Sequence, residues 1–116
     1  MTKHALLEEY RRLAIIHGTA KDPKTGNKAH DKLVKVRLAL RDAGQERLIL
    51  ELLDDPDEHV RGWAAFDALY LEPGAGEPVL RALAQGPRGV VRFNAAMTLE
   101  LWEKGELVLY PWENDE

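Results

Sequence analysis

Residues 48–69 read LILELLDDPDEHVRGWAAFDAL, and residues 79–100, VLRALAQGPRGVVRFNAAMTLE, align on them without a gap at an offset of 31 residues. Leu52 falls on Leu83, Pro56 on Pro87, Val60 on Val91, Arg61 on Arg92, and Ala64-Ala65 on Ala95-Ala96. Each unit reads as a helix, a proline-marked turn and a second helix. A period in this range marks a helical repeat, whose units bury their apolar faces against one another. Val60, Ala64, Ala68 and Leu71 share one side of the second helix of the first unit. Val91, Ala95, Thr98 and Trp102 share the corresponding side in the next, at helical spacing.

Upstream, Thr2 to about His17 reads as a first helix through Leu6, Tyr10, Leu13 and His17, widened by Ala14 and ended by Gly18. The stretch GTAKDPKTG, residues 18–26, reads as a loop. Asn27 is the expected cap of a second helix that runs to about Ala43 and stops at Gly44, burying Ala29, Leu33, Val36, Leu40 and Ala43. A short helix follows over residues 45–53, burying Leu48, Ile49, Leu52 and Leu53. In the turn after it, Asp55 reads as a cap, Pro56 as the first helical residue, and Glu58 as the partner in a capping box. The helix from Pro56 reaches Leu71. Residues 72–76 read as a turn, Pro78–Gln85 as a fifth helix, and Arg88–Lys104 as a sixth, closed by Gly105. The tail GELVLYPWENDE has no helical period and contains Pro111, so an extended segment laid over the last helix pair is expected, with Trp112 either in that cap or in contact with a partner. The expectation is one all-α domain over residues 1–116: helix pairs at 2–43, 45–71 and 77–104, then a tail at 105–116.

The pattern at Pro56, Val60, Arg61, Ala64 and Ala65, repeated at Pro87, Val91, Arg92, Ala95 and Ala96, resembles HEAT or armadillo-type repeats. The segments GNKAHDKLVKVRLALRDAG, LLDDPDEHVRGWAAFDAL and AAMTLELWEKGEL also resemble a family of small bacterial helical proteins with no established activity. The resemblance implies a short right-handed HEAT-like α-solenoid of three helix pairs. It gives Pro56, Arg61, Pro87 and Arg92 structural roles, the arginines bonding carboxylates in adjoining turns. Arg92 lacks acids in its own turn, where Gln85, Gly86 and Arg88 stand. Some small HEAT-like bacterial proteins are immunity partners of toxins.

Apolar residues make up 45% of the 116-residue chain, enough for one buried core. Cysteine is absent, which excludes disulfides and cysteine metal sites and fits a reducing cytoplasm. No apolar run nears the ~20 residues needed to span a bilayer, and the acid-containing start does not read as a secretory signal. Net charge is -4, unevenly spread. Residues 1–41 carry ten Lys and Arg against four Asp and Glu; residues 42–116 carry six against sixteen. The acidic majority disfavours a phosphate backbone as the main ligand and suits a basic protein partner.

Serine is absent too, so a Ser or Cys nucleophile is impossible. His4, His17, His30 and His59 follow no ligand spacing, and His30 and Asp31, adjacent on a helix, are expected to point apart. The acids of residues 54–58 lack an EF-hand pattern. No cofactor, metal site or catalytic centre is expected. The candidate binding residues are instead an aromatic line of Trp63, Phe66, Asp67 and Tyr70 on one helix, continued by Phe93, Met97 and Glu100 on another. Large aromatics off the packing seam are favoured interface anchors. The leading expectation is a non-enzymatic protein-binding scaffold, in its most concrete form an immunity-type inhibitor covering a basic toxin or effector. The alternatives are nucleic-acid binding through Lys28, Lys32 and Lys35, and an enzyme with a deep polar pocket. The opposed charge of the two ends also permits head-to-tail self-association.

Overall fold

The computed structural model describes residues 5–107. Among these residues the chain forms α1 (Ala5–Thr19), α2 (Pro23–Asp42), a 310 helix (Glu46–Asp54), α3 (Glu58–Leu71), α4 (Pro73–Ala84) and α5 (Val90–Glu103), with no strand. The protein is all-α, as its periodicity requires. α1 packs on α2, α3 on both the 310 helix and α4, and α4 on α5. α1 also lies directly against α3.

The two 31-residue units bury matching positions. Ile49, Leu52, Ala64 and Ala68 are buried, and so are their counterparts Leu80, Leu83, Ala95 and Leu99. Small residues on α3 allow close crossings. Gly76 on α4 shows how close: a Cβ there would stand 2.8 Å from the Ala65 carbonyl oxygen and 2.9 Å from the Ala68 Cβ. Gly18 meets a similar constraint, because the His59 ring occupies the place of its missing Cβ, at 2.2 Å.

Several helix limits differ from the sequence reading, each for a local reason. α1 continues through Gly18 to Thr19. The loop shrinks to residues 20–22, because Asp22 and not Asn27 caps α2. The Asp22 carboxylate accepts from the Thr25 amide at 2.8 Å and Pro23 takes the first helical position. The segment at 46–54 is a 310 helix. Asp57, not Asp55, caps α3, accepting from the His59 amide at 2.8 Å and the Val60 amide at 3.3 Å. Asp55 is freed to receive Arg11 of α1 at 2.7 and 3.2 Å, and Pro56 stays outside the helix. Residues 73–76 are not a turn; Pro73 opens α4, which absorbs both glycines and Pro78. Ala43 is exposed past the end of α2. Gly44 (φ 70°) and Gly105 (φ 71°) adopt the left-handed conformation that ends helices at low cost. Leu107 packs at the core edge; the expected cap by Trp112 lies outside the described residues.

The core is not wholly apolar. Tyr10, Arg37 and Asp67 are at most 2% exposed and meet where α1, α2 and α3 converge. The Tyr10 hydroxyl donates to Asp67 Oδ2. Arg37 Nε stands 3.7 Å from Asp67 Oδ1, and Arg37 Nη1 donates to Glu46 Oε2 at 3.0 Å. Burial raises the Tyr10 phenol well above its usual range, so it remains a donor. Burial also pushes the Asp67 carboxyl up to about 7, against the Tyr10 hydrogen bond and the Arg37 charge, which pull it down.

Two outcomes are expected. Asp67→Ala removes the acceptor of the buried Tyr10 hydroxyl, while Arg37 keeps Glu46, and should cost about 1–3 kcal/mol in urea unfolding, the usual loss for leaving a buried donor unsatisfied. Asp67 binds its proton more tightly folded than unfolded, so its contribution is complete below pH 3.8 and disappears as pH rises through about 7. Urea midpoints across that window should fall for the wild type relative to Asp67→Asn; parallel curves would contradict the assignment. Gly76→Ala should cost about 1–3 kcal/mol by overpacking, read from the same transition.

Candidate protein-binding surface

The polar core removes one residue from the expected binding line. Asp67 lies seven residues from Val60 and three from Ala64, on the buried side of α3, and is 1% exposed. Trp63 is half-buried between α1 and α2. Its ring meets His17 edge-on at 5.4 Å and His30 at 5.8 Å, and its Nε1 donates to His17 Nδ1 at 3.4 Å. Phe66 is half-buried and packs edge-on against Trp63 at 6.3 Å. Tyr70 is 39% exposed, with the Arg37 guanidinium 5.8 Å from its ring centre. Much of the α3 line therefore serves internal packing.

The α5 part stands open. Phe93 is 66% and Met97 44% exposed, and both lie opposite the buried Ala95 and Leu99. Val90, 67% exposed, joins them at helical spacing. The 31-residue offset places Val90 on His59 and Phe93 on Gly62, so neither apolar side chain continues the aromatic line of α3 in sequence. The positions of His59, Gly62 and Phe66 on α3, all partly buried, are thus occupied on α5 by exposed apolar side chains. Glu100 is exposed and accepts from Lys104 Nζ at 3.3 Å. Glu51, Asp54, Glu58 and Glu106 are exposed carboxylates elsewhere in this acidic half of the chain.

The repeat arginines diverge. Arg61 Nη1 donates to the carbonyl of Asp55 at 2.7 Å and of Pro56 at 3.0 Å, so it ties the turn through backbone rather than through the carboxylates. Arg92 is exposed and makes no such bond among the described residues. Lys28, Lys32 and Lys35 are all exposed on α2, in line with Lys21 and Lys24. No group of three or more His, Asp or Glu among the described residues is arranged to hold a metal ion. His30 Nδ1 comes within 3.9 Å of Asp31 Oδ1 at the surface, so the two do not point fully apart. No described helix is long and apolar enough to cross a membrane.

No family model matches the chain, and neither a curated protein nor a solved structure matches it.

His17, packed edge-on against Trp63, carries the acid sensitivity expected of the α1–α3 junction. Burial holds the His17 imidazole below its usual range, with the nearby His30 and His59 adding to the shift. A histidine that resists protonation when folded stabilises fully above its unfolded pKa of 6.5 and loses that contribution as pH falls below it. His17→Gln should therefore lessen the loss of stability below pH 6.5, measured by urea titration with Trp fluorescence. An unchanged acid slope would contradict this.

Proposed function

We propose that the protein is a non-enzymatic scaffold that binds a basic protein partner through the outward face of α5. The observation that carries this reading is the row Val90, Phe93 and Met97, open to solvent on the side of the helix away from the core. A large apolar patch rimmed by polar groups is the usual sign of an interaction site. The acidic balance of residues 42–116, sixteen Asp and Glu against six Lys and Arg, supplies long-range attraction for a cationic partner and would speed its approach.

The supporting architecture is a short HEAT-like solenoid of three helix pairs: α1 with α2, the 310 helix with α3, and α4 with α5. Repeat stacks present successive second helices on one extended face. Matched burial in the two 31-residue units supports this arrangement. Its most specific form is an immunity-type inhibitor that covers a basic toxin or effector in the cytoplasm.

The test is affinity capture with the whole chain, identification of the captured protein, and titration with that protein purified. Phe93→Asp and Met97→Asp alter exposed side chains, so helix content should hold. Each is expected to weaken binding by about 2 kcal/mol or more if it sits at an interface hot spot. Undiminished affinity in both variants would move the surface elsewhere. A second reading, nucleic-acid binding, draws on the exposed lysine line of α2. It requires measurable duplex DNA or RNA binding at low salt that weakens steeply as salt rises.

A further inference from the structure

A groove of about 380 Å³ runs between the two repeated turns, and Val90, Phe93 and Met97 are not among the residues that line it. Its floor is apolar: Leu53, Val79, Leu83 and Val91, bordered by Pro78 and Pro87. Arg61 and Arg92, the arginines that correspond in the two units, both line it, with Glu58 as the acid among the lining residues. Arg88 lies in the turn that leads past Pro87 into α5.

Charge singles this place out. Only six basic residues follow residue 41, against sixteen acids. Four are engaged: Arg47 with Glu72, Arg61 with two carbonyls, Arg81 with Glu77 and Glu103, and Lys104 with Glu100. Arg88 and Arg92 are the two without a hydrogen bond or ion pair among the described residues, and both are exposed. In the earlier unit their surroundings differ. The counterpart of Arg88 is Asp57, and the turn before Arg61 is closed by Asp55 and Asp57. In the later unit those acids are gone; Arg92 lines the apolar slot, and Arg88 follows the lining residue Pro87 in the adjoining turn, in an otherwise acidic half.

We infer that this groove is a docking site for a linear peptide of a partner protein that carries a bulky apolar side chain beside carboxylates. The side chain enters between Val79, Leu83 and Val91, and the carboxylates meet Arg88 and Arg92 in charge-assisted hydrogen bonds. The site is separate from the outward face of α5 and opposite to it in charge preference.

The probe is a fluorescein-labelled peptide with one tryptophan flanked by glutamates, titrated with the full chain and followed by anisotropy. Saturable binding is expected. Arg88→Glu together with Arg92→Glu, both exposed and neutral to helix content by circular dichroism, should weaken it about tenfold per arginine. The same peptide with lysines for glutamates, or glycine for tryptophan, should not bind. Phe93→Asp should leave peptide binding unchanged, which separates this site from the α5 face. Equal binding of the lysine peptide, or no effect of the double charge reversal, overturns the inference. If replacing Glu113, Asp115 and Glu116 by amides strengthens peptide binding, the chain's own C-terminal residues are the occupant and the proposed partner peptide is wrong. If sedimentation shows a dimer that the charge reversals abolish, a second copy is the occupant, and the proposal fails in the same way.

Discussion

The carboxylate of Asp67 has almost no access to water, and the placement of the first three helices depends on how that is tolerated. An isolated buried charge costs far more than a domain of this size can spare. Here Tyr10 from α1 and Arg37 from α2 converge on it, and Arg37 extends outward to Glu46 of the 310 helix. Apolar packing is tolerant of sliding, because burial is worth nearly the same at neighbouring registers. A hydroxyl, a guanidinium and a carboxylate do not share that tolerance; a displacement of an ångström or two breaks their contacts. The network therefore fixes α1 and α2 against α3 in one register.

That register decides which aromatic residues remain available. With α1 drawn onto α3, the His59 ring fills the space beside Gly18, and Trp63 is enclosed by His17 and His30. Trp63 and Phe66 become mortar at a three-helix junction. α5 has no helix beyond it among the described residues, so the same outward positions remain open there and carry Val90, Phe93 and Met97. A single repeated position, Phe66 in one copy and Met97 in the next, thus serves packing in the first and stays exposed in the second.

The repeat and the all-α class were legible because they rest on spacing alone. What was missed rests on competition between local signals. Asp22-Pro23 is a cap followed by a first-turn proline, but the glycines and lysines around it read as loop. Asp55 and Asp57 are both plausible caps two residues apart, and Arg11, distant in sequence, takes Asp55. Glycines 74 and 76 suggested a turn, yet tight α3–α4 packing needs Gly76 inside the helix. Asp67 lies among Trp63, Phe66 and Tyr70 in the sequence, which groups it with the aromatic line of α3. Its spacing from Val60 and Ala64 said otherwise, as did that of Arg37 from Leu33 and Leu40. Three polar residues at core positions of three helices are a readable sign of a buried network. The openness of α5 was not readable in this way, since it depends on what packs beyond it.

The two repeated turns share a proline and an arginine but differ in charge. In the earlier turn, Asp55 and Asp57 meet the needs of their own surroundings: one caps α3, the other receives Arg11, and Arg61 closes onto the carbonyls. In the later turn Gly86, Arg88 and Gly89 stand at the positions of Asp55, Asp57 and Glu58, and no side chain caps α5. The acids that would satisfy a nearby arginine are absent, while Arg92 persists. A turn that is electrostatically complete has nothing to offer a partner. One that has lost its carboxylates but kept its arginine can be completed from outside, and the apolar groove between the two turns gives such a partner a surface to bury.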